Sequence, residues 1–204
     1  MKHMLLVRIC LSVSMRVWLA SGSARRRVIL ESILPRLHCE PLPEVDETPP
    51  LGLVEEQVLA ICQRKAAHVN EHLDYDLIIV SDTMIGDPDD AYASIGKPID
   101  RGEAGIMLSR LANRRHQVWT ASGLFFGGQW SFDVEHAVME FPEFSSEFLS
   151  EYLASEEWKG KAGAYDLHGS MGSHATLIQG SEYVVLGLTQ RVIEVVQTFA
   201  TNGE

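Results

Sequence analysis

The chain of 204 residues is long enough for one domain with a real core, and 46% apolar and 22% charged residues are ordinary for a globular protein. A formal net charge of −11 argues against a general nucleic-acid or membrane-surface binder, because most of the surface would repel a polyanion. It leaves room for a small anion held by a local basic cluster.

Lys2 and His3 open a largely apolar run to Ala20, but Arg8 and Arg16 break it. What remains is too short for an export signal or for the ~20 residues of a membrane span. Met15 offers a second start, so residues 1–14 are expected to be an extension or poorly ordered tail ahead of a domain spanning 15–204. The three cysteines, Cys10, Cys39 and Cys62, show no C-x-x-C spacing. They give no disulfide framework or zinc site and fit a reducing, cytoplasmic setting.

Val17 to Ala20 reads as a short buried strand. Ala24 to Leu34 reads as a helix capped by Ser23 and stopped by Pro35. Residues 38–52 form a loop with four prolines and the carboxylates Glu44, Asp46 and Glu47. Val54 to Val69 has helical periodicity, and Tyr75 to Thr83 is a β-branched strand running out at Ser81-Asp82-Thr83. A loop follows through Pro98, then a helix from Arg101 to Leu111. Residues 116–126 and 129–141 are two strands joined at Gly127-Gly128, a hairpin signal. Ser145 caps a helix through Leu153, Lys161 to Gly180 is glycine-rich, and Thr189 opens a C-terminal helix. Together these elements predict an α/β domain with a mixed sheet.

Chemistry-bearing residues fall at element ends. Ser21, Ser23, Arg25 and Arg26 surround a helix start, where free N–H groups and the macrodipole favour anions. Guanidiniums extend that preference to a polyphosphate, although a capped basic surface helix has the same appearance. Asp82, at the end of its strand, suits a magnesium ligand or a proton acceptor, and equally an Asx turn. Glu44, Asp46 and Glu47 read as ligands or as a solvated acidic loop. Lys97 and Lys161 sit among small or turn residues that can aim an ammonium inward, or leave it on the surface. The eight histidines include no H-E-x-x-H, so a zinc site is not expected, and His116 before a strand reads as structural.

Taken in order, these pieces resemble the Maf family of nucleoside triphosphate pyrophosphatases. Ser21, Ser23, Arg25 and Arg26 match its S-x-S-x-R-R start, Asp46-Glu47 its acidic loop and Lys65-Ala66 its helix end. Ser81-Asp82-Thr83 and Gly96-Lys97-Pro98 follow, then His116, Val118 and Thr120, then Lys161 to Tyr165. Gly180-Ser181 and Val185-Leu186-Gly187-Leu188 complete a collinear match from about Met15 to the end. The resemblance implies an elongated mixed β-sheet with flanking helices and two lobes around a cleft, similar to Ham1 and inosine triphosphate pyrophosphatases, often as a homodimer.

The resemblance also implies hydrolysis of a nucleoside triphosphate to a monophosphate and pyrophosphate. In that reading Asp82 takes the proton of the attacking water, and Arg26 and Lys97 act with it on the reacting phosphates. Ser21, Ser23, Arg25, Lys65, Thr83, Lys161 and His168 contact substrate, and Glu47 and Asp82 hold Mg2+ or a similar cation such as Mn2+. One family branch takes dTTP and UTP and carries Arg, Thr and Gln at three positions; here these fall on Arg25, Thr83 and His168. A 7-methyl-GTP branch tends toward Trp, Gln and Glu, so Arg25 and Thr83 favour the pyrimidine branch while His168 departs from both. The rival readings are a nucleotide-sensing regulator of cell division and an inosine triphosphate enzyme; Ser23 and Arg26 speak against the latter, whose start is S-x-N-x-x-K.

Overall fold

The structure is a computed structural model that describes residues 15–34, 36–69 and 74–202; the expected extension at 1–14 and the stop at Pro35 lie outside them. Among the described residues seven strands form one mixed sheet: β1 (Val17–Leu19), β2 (Leu37–Cys39), β3 (Leu77–Gly86), β4 (Ser94–Ile95), β5 (Arg114–Phe126), β6 (Gln129–Phe141) and β7 (Thr176–Gln179). Their order is β2-β1-β3-β5-β6-β7, with β4 joined to β3. The β2, β1 and β3 pairings are parallel, and all the others are antiparallel.

Strands that are apolar on both faces require cover on both. On one face Trp18, Ile78 and Val80 pack against Val58, Ile61 and Cys62 of α2 (Val54–Ala67). On the other, Leu19, Leu77 and Ile79 meet Leu30 of α1 (Ala24–Ile33) and Val192, Ile193 and Val196 of α6 (Gln190–Asn202). Farther along the long strands a second body of core gathers Ile85, Val118 and Met139 with Leu108 of α3 (Arg101–Leu111) and Tyr152 of α4 (Ser146–Ser155). The hairpin between β5 and β6 turns at Gly127 and Gly128, with φ of +61° and +81°, as a two-residue hairpin of this twist demands.

The structure departs from the sequence reading in several places. β3 does not end at Thr83 but continues to Gly86, because Met84 and Ile85 are buried and still pair with Trp119 and Val118. Two expected loops carry short strands, β2 and β4, and the glycine-rich stretch carries β7 after two single-turn 3-10 segments. A five-residue helix, α5 (Glu182–Leu186), precedes α6. Among the described residues no helix is long and apolar enough to cross a membrane.

Candidate active site

The site grows from a gap in the sheet edge. β1 makes its last bond to β3 from the Ala20 N–H to the Ile79 carbonyl, and β4 begins pairing only at Ile85. Between them the edge of β3 is uncovered, and an unpaired buried carbonyl there would be costly. Two cations satisfy it: Ser81 O accepts from Arg26 Nη1 at 3.0 Å and from Lys65 Nζ at 3.4 Å. The gap opens into a cleft of about 850 Å³.

Arg26 reaches this place because Ser23 caps α1, its Oγ facing the Arg26 N–H at 3.5 Å, and the first helical turn then points inward. The guanidinium is buried and satisfies several acceptors at once. Nε donates to Gly187 O at 2.7 Å, Nη1 also to Ser21 Oγ at 3.2 Å, and Nη2 to Thr83 Oγ1 at 2.9 Å. Thr120 Oγ1 has one hydrogen and donates it to Val184 O at 2.7 Å, so Thr83 donates to Thr120 across 2.9 Å. A directed chain thus runs from Arg26 through Thr83 and Thr120 to the backbone of α5. Burial pulls the Arg26 guanidinium below its ordinary value and Arg25 adds to this, while Asp82 opposes it; an arginine stays charged throughout.

On the α2 side, Lys65 joins two carboxylates. Its Nζ lies 2.7 Å from Asp82 Oδ1 and 2.8 Å from Glu47 Oε1. Burial pushes Glu47 upward, but the hydrogen bond and charge of Lys65, with Lys97 and Arg26 beyond, hold it below the ordinary glutamate range. The acidic loop is therefore not uniform. Glu44 and Glu47 line the cleft, whereas Asp46 receives the Thr48 N–H at 2.9 Å and pairs with Arg64 at 3.4 Å. Among the described residues no group of three or more His, Cys, Asp or Glu side chains is placed to hold a metal.

Two further lysines line the cleft from the other side. The loops of Lys97 and Lys161 are tied together by the Gly163 N–H donating to Gly96 O at 2.9 Å. Lys97 is exposed and has no hydrogen-bond or ion-pair partner among the described residues. Lys161 Nζ contacts Asp166 Oδ2 at 2.7 Å, and Arg25 lies 3.7 Å from Oδ1 of the same carboxylate. His168 is not brought into the cleft lining; its imidazole is exposed and faces Glu182 at 3.3 Å. Arg27, beside Arg25 and Arg26, points outward and pairs with Glu31. His116 is buried on Tyr165 and Phe141, in the structural role expected of it.

The sequence signature of the Maf-like protein family matches residues 16–199. The chain belongs to this family. A dTTP/UTP pyrophosphatase of Pyrococcus abyssi (strain GE5 / Orsay) is 33% identical over 175 residues, 86% of this chain and 91% of that protein. A dTTP/UTP pyrophosphatase of Pyrococcus horikoshii is 32% identical over 182 residues, covering 88% and 94%. A solved HAM1 protein from Coxiella burnetii is 11% identical, covering 92% of this chain and 97% of its own, with a TM-score of 0.49.

Residues from most of the Maf-like motifs, scattered along the chain, meet at this one cleft. Ser21, Ser23, Arg25, Arg26, Glu47, Lys65, Asp82, Thr83, Lys97 and Lys161 all line it. Sequence reading missed Asp166 and the part played by the Gly187 and Ser81 carbonyls. Asp166 had a signal, being the only carboxylate between Lys161 and Gly180. Backbone acceptors have none, since their role depends on where the chain returns.

Proposed function

We propose that this protein hydrolyses a nucleoside triphosphate, of the dTTP or UTP type, to its monophosphate and pyrophosphate. The observation that carries the reading is the convergence of Arg25, Arg26, Lys65, Lys97 and Lys161 on one cleft of a protein with net charge −11, with Asp82 and Glu47 among them. An acidic protein gathers fixed cations in this way to bind a small polyanion. The names of the Pyrococcus relatives and the Arg25 and Thr83 pair support the pyrimidine assignment.

Attack of water at the α-phosphorus places growing charge on the leaving pyrophosphate, so positioned cations are the main requirement. Lys97 and Lys161, from one pair of tied loops, and Arg25, beside Lys161 on the Asp166 carboxylate, supply them. Arg26 acts chiefly by holding the walls, since four of its five N–H groups are engaged. Asp82 lines the cleft with Oδ1 on Lys65, and Oδ2 has no hydrogen-bond partner among the described residues. That oxygen is the acceptor for the proton of the attacking water. Glu47 and Asp82 already gather around one positive centre, Lys65, and this fits them to hold magnesium or manganese. Such a cation takes one or two carboxylates and completes its shell with phosphate and water, and when bound it neutralises phosphate charge.

The reading carries with it a cytoplasmic location beside the nucleotide pool, a homodimeric state and no nucleic-acid partner. The test is pyrophosphate release from a panel of canonical and modified triphosphates with Mg2+, dTTP or UTP being fastest. Absence of turnover on every member overturns the enzyme reading; 7-methyl-GTP as the fastest substrate overturns the choice of base.

A further inference from the structure

We propose that Asp166 is a resident counter-ion that weakens phosphate binding at the Arg25 and Lys161 side of the cleft. The inference rests on the functional reading above and adds to it a residue that sets how tightly the site holds its anionic ligands.

Arg25 and Lys161 line the cleft, while Asp166 stands behind them, outside the lining. Its carboxylate is 13% exposed, against 26% for Arg25 and 30% for Lys161, so the anion is the deeper member of the trio. Burial raises the Asp166 carboxyl, yet the Lys161 hydrogen bond and the charge of Arg25 outweigh it and hold the group below the ordinary aspartate range. It is therefore a full negative charge shared between two cations that face the ligand.

Two observations separate screening from positioning. Lys161 is placed by its own backbone: its N–H donates to Trp158 O at 3.1 Å, its carbonyl accepts from Ala164 at 3.1 Å, and the next loop residues are tied to Gly96. Arg25 lies 3.7 Å from Asp166, too far for a hydrogen bond that would orient it, but close enough for strong Coulomb attraction. The geometry thus gives Asp166 a charge shared by both cations, with orientation limited to the Lys161 ammonium it bonds at 2.7 Å. A phosphate ligand competes with that charge for both cations, which limits the affinity for every phosphate species, including the product pyrophosphate.

The test compares the unaltered protein with Asp166→Asn, Asp166→Ser and the charge-retaining Asp166→Glu. Calorimetry with inorganic pyrophosphate and steady-state kinetics with dTTP are read together. The neutral variants are expected to bind pyrophosphate about tenfold more tightly and to show a KM lowered by a similar factor, with kcat not increased. Asp166→Glu is expected to stay near the unaltered values. Unchanged or weaker binding in a folded neutral variant overturns the proposal, the latter making Asp166 a strut. Should both neutral variants fail to fold, the unaltered protein decides: saturating pyrophosphate shifts the 13C resonance of the Asp166 carboxyl if the cations redistribute, and no shift overturns the proposal. If the unaltered protein neither binds pyrophosphate nor hydrolyses any triphosphate, the functional reading itself fails. A failure confined to the variants leaves that reading standing.

Discussion

Arg26 Nε donates to the carbonyl oxygen of Gly187 at 2.7 Å, joining the start of α1 to a turn 161 positions later. The same guanidinium closes the open edge of β3 through Ser81 O and fixes Thr83. Lysine would bring one ammonium to acceptors that lie in several directions, and could not satisfy them together. Arg26→Lys is expected to lower the unfolding free energy by about 2–4 kcal/mol, the penalty of leaving one or two buried acceptors unmet. Urea denaturation measures this. An unchanged midpoint would show that the carbonyls do not depend on the guanidinium.

Gly187 is constrained from both sides of its backbone. Its φ is +102°, and a Cβ would stand 2.7 Å from Arg26 Nε and 3.1 Å from Thr83 Oγ1. Gly187→Ala combines a left-handed backbone with displacement of the guanidinium, about 2 kcal/mol or more together. For a chain of this size that lowers the Tm by roughly 4–8 °C. Pyrophosphate release should fall with it, because Thr83 and the β3 edge move when Arg26 moves. Loss of stability with full activity would separate the anchor from the site.

Much of this arrangement was legible before the structure. β1, α1, α2 and the long hairpin carry their own signals: a continuous apolar run, a serine cap, helical periodicity and a Gly-Gly turn. β2 and β4 have three and two residues and no pattern of their own; partners define them, β1 for one and the last residues of β3 for the other. Polarity beginning at Ser81 and Asp82 marks a strand end in the sequence, whereas Met84 and Ile85 restore the apolar face and carry the strand past it. The Maf-like motifs identified the walls of the cleft. What they could not show is how those walls connect: Lys65 between Glu47 and Asp82, or Asp166 behind Arg25 and Lys161. Those relations follow from which ends of long elements come together, and side-chain spacing along the chain does not record that.

Asp82 separates chemistry from architecture. Asp82→Asn keeps the size of the side chain and an acceptor for Lys65, so the unfolding midpoint should move little. Losing the proton acceptor should reduce the rate of pyrophosphate release by a factor on the order of 100 or more. Chelation of divalent cations in the unaltered protein should stop turnover, and Mg2+ or Mn2+ should restore it. Activity surviving in Asp82→Asn would assign the proton to another group; activity surviving chelation would remove the metal from the reading.

His116 makes stability depend on pH away from the cleft. Its ring is buried on β5 with Nε2 2.9 Å from the Tyr165 hydroxyl, and Nδ1 has no partner among the described residues. Burial lowers its pKa from 6.5 to about 4. Between those values the unfolded chain binds a proton that the folded protein refuses, so stability rises with pH across the window and is lost as pH falls through it. The slope from this group is about 1.4 kcal/mol per pH unit. Glu47 and Asp166, held low by their cations, add their own loss only below their ordinary values of 4.5 and 3.8. Glu135, raised by burial, opposes the histidine just above 4.5, so the upper part of the pH 4.5–6.5 interval reports His116 best. Chemical denaturation at several pH values in that interval should show the slope in the unaltered protein and a flatter one in His116→Gln, whatever the absolute stability of the variant. Equal slopes would mean that His116 titrates in the fold as it does in the unfolded chain.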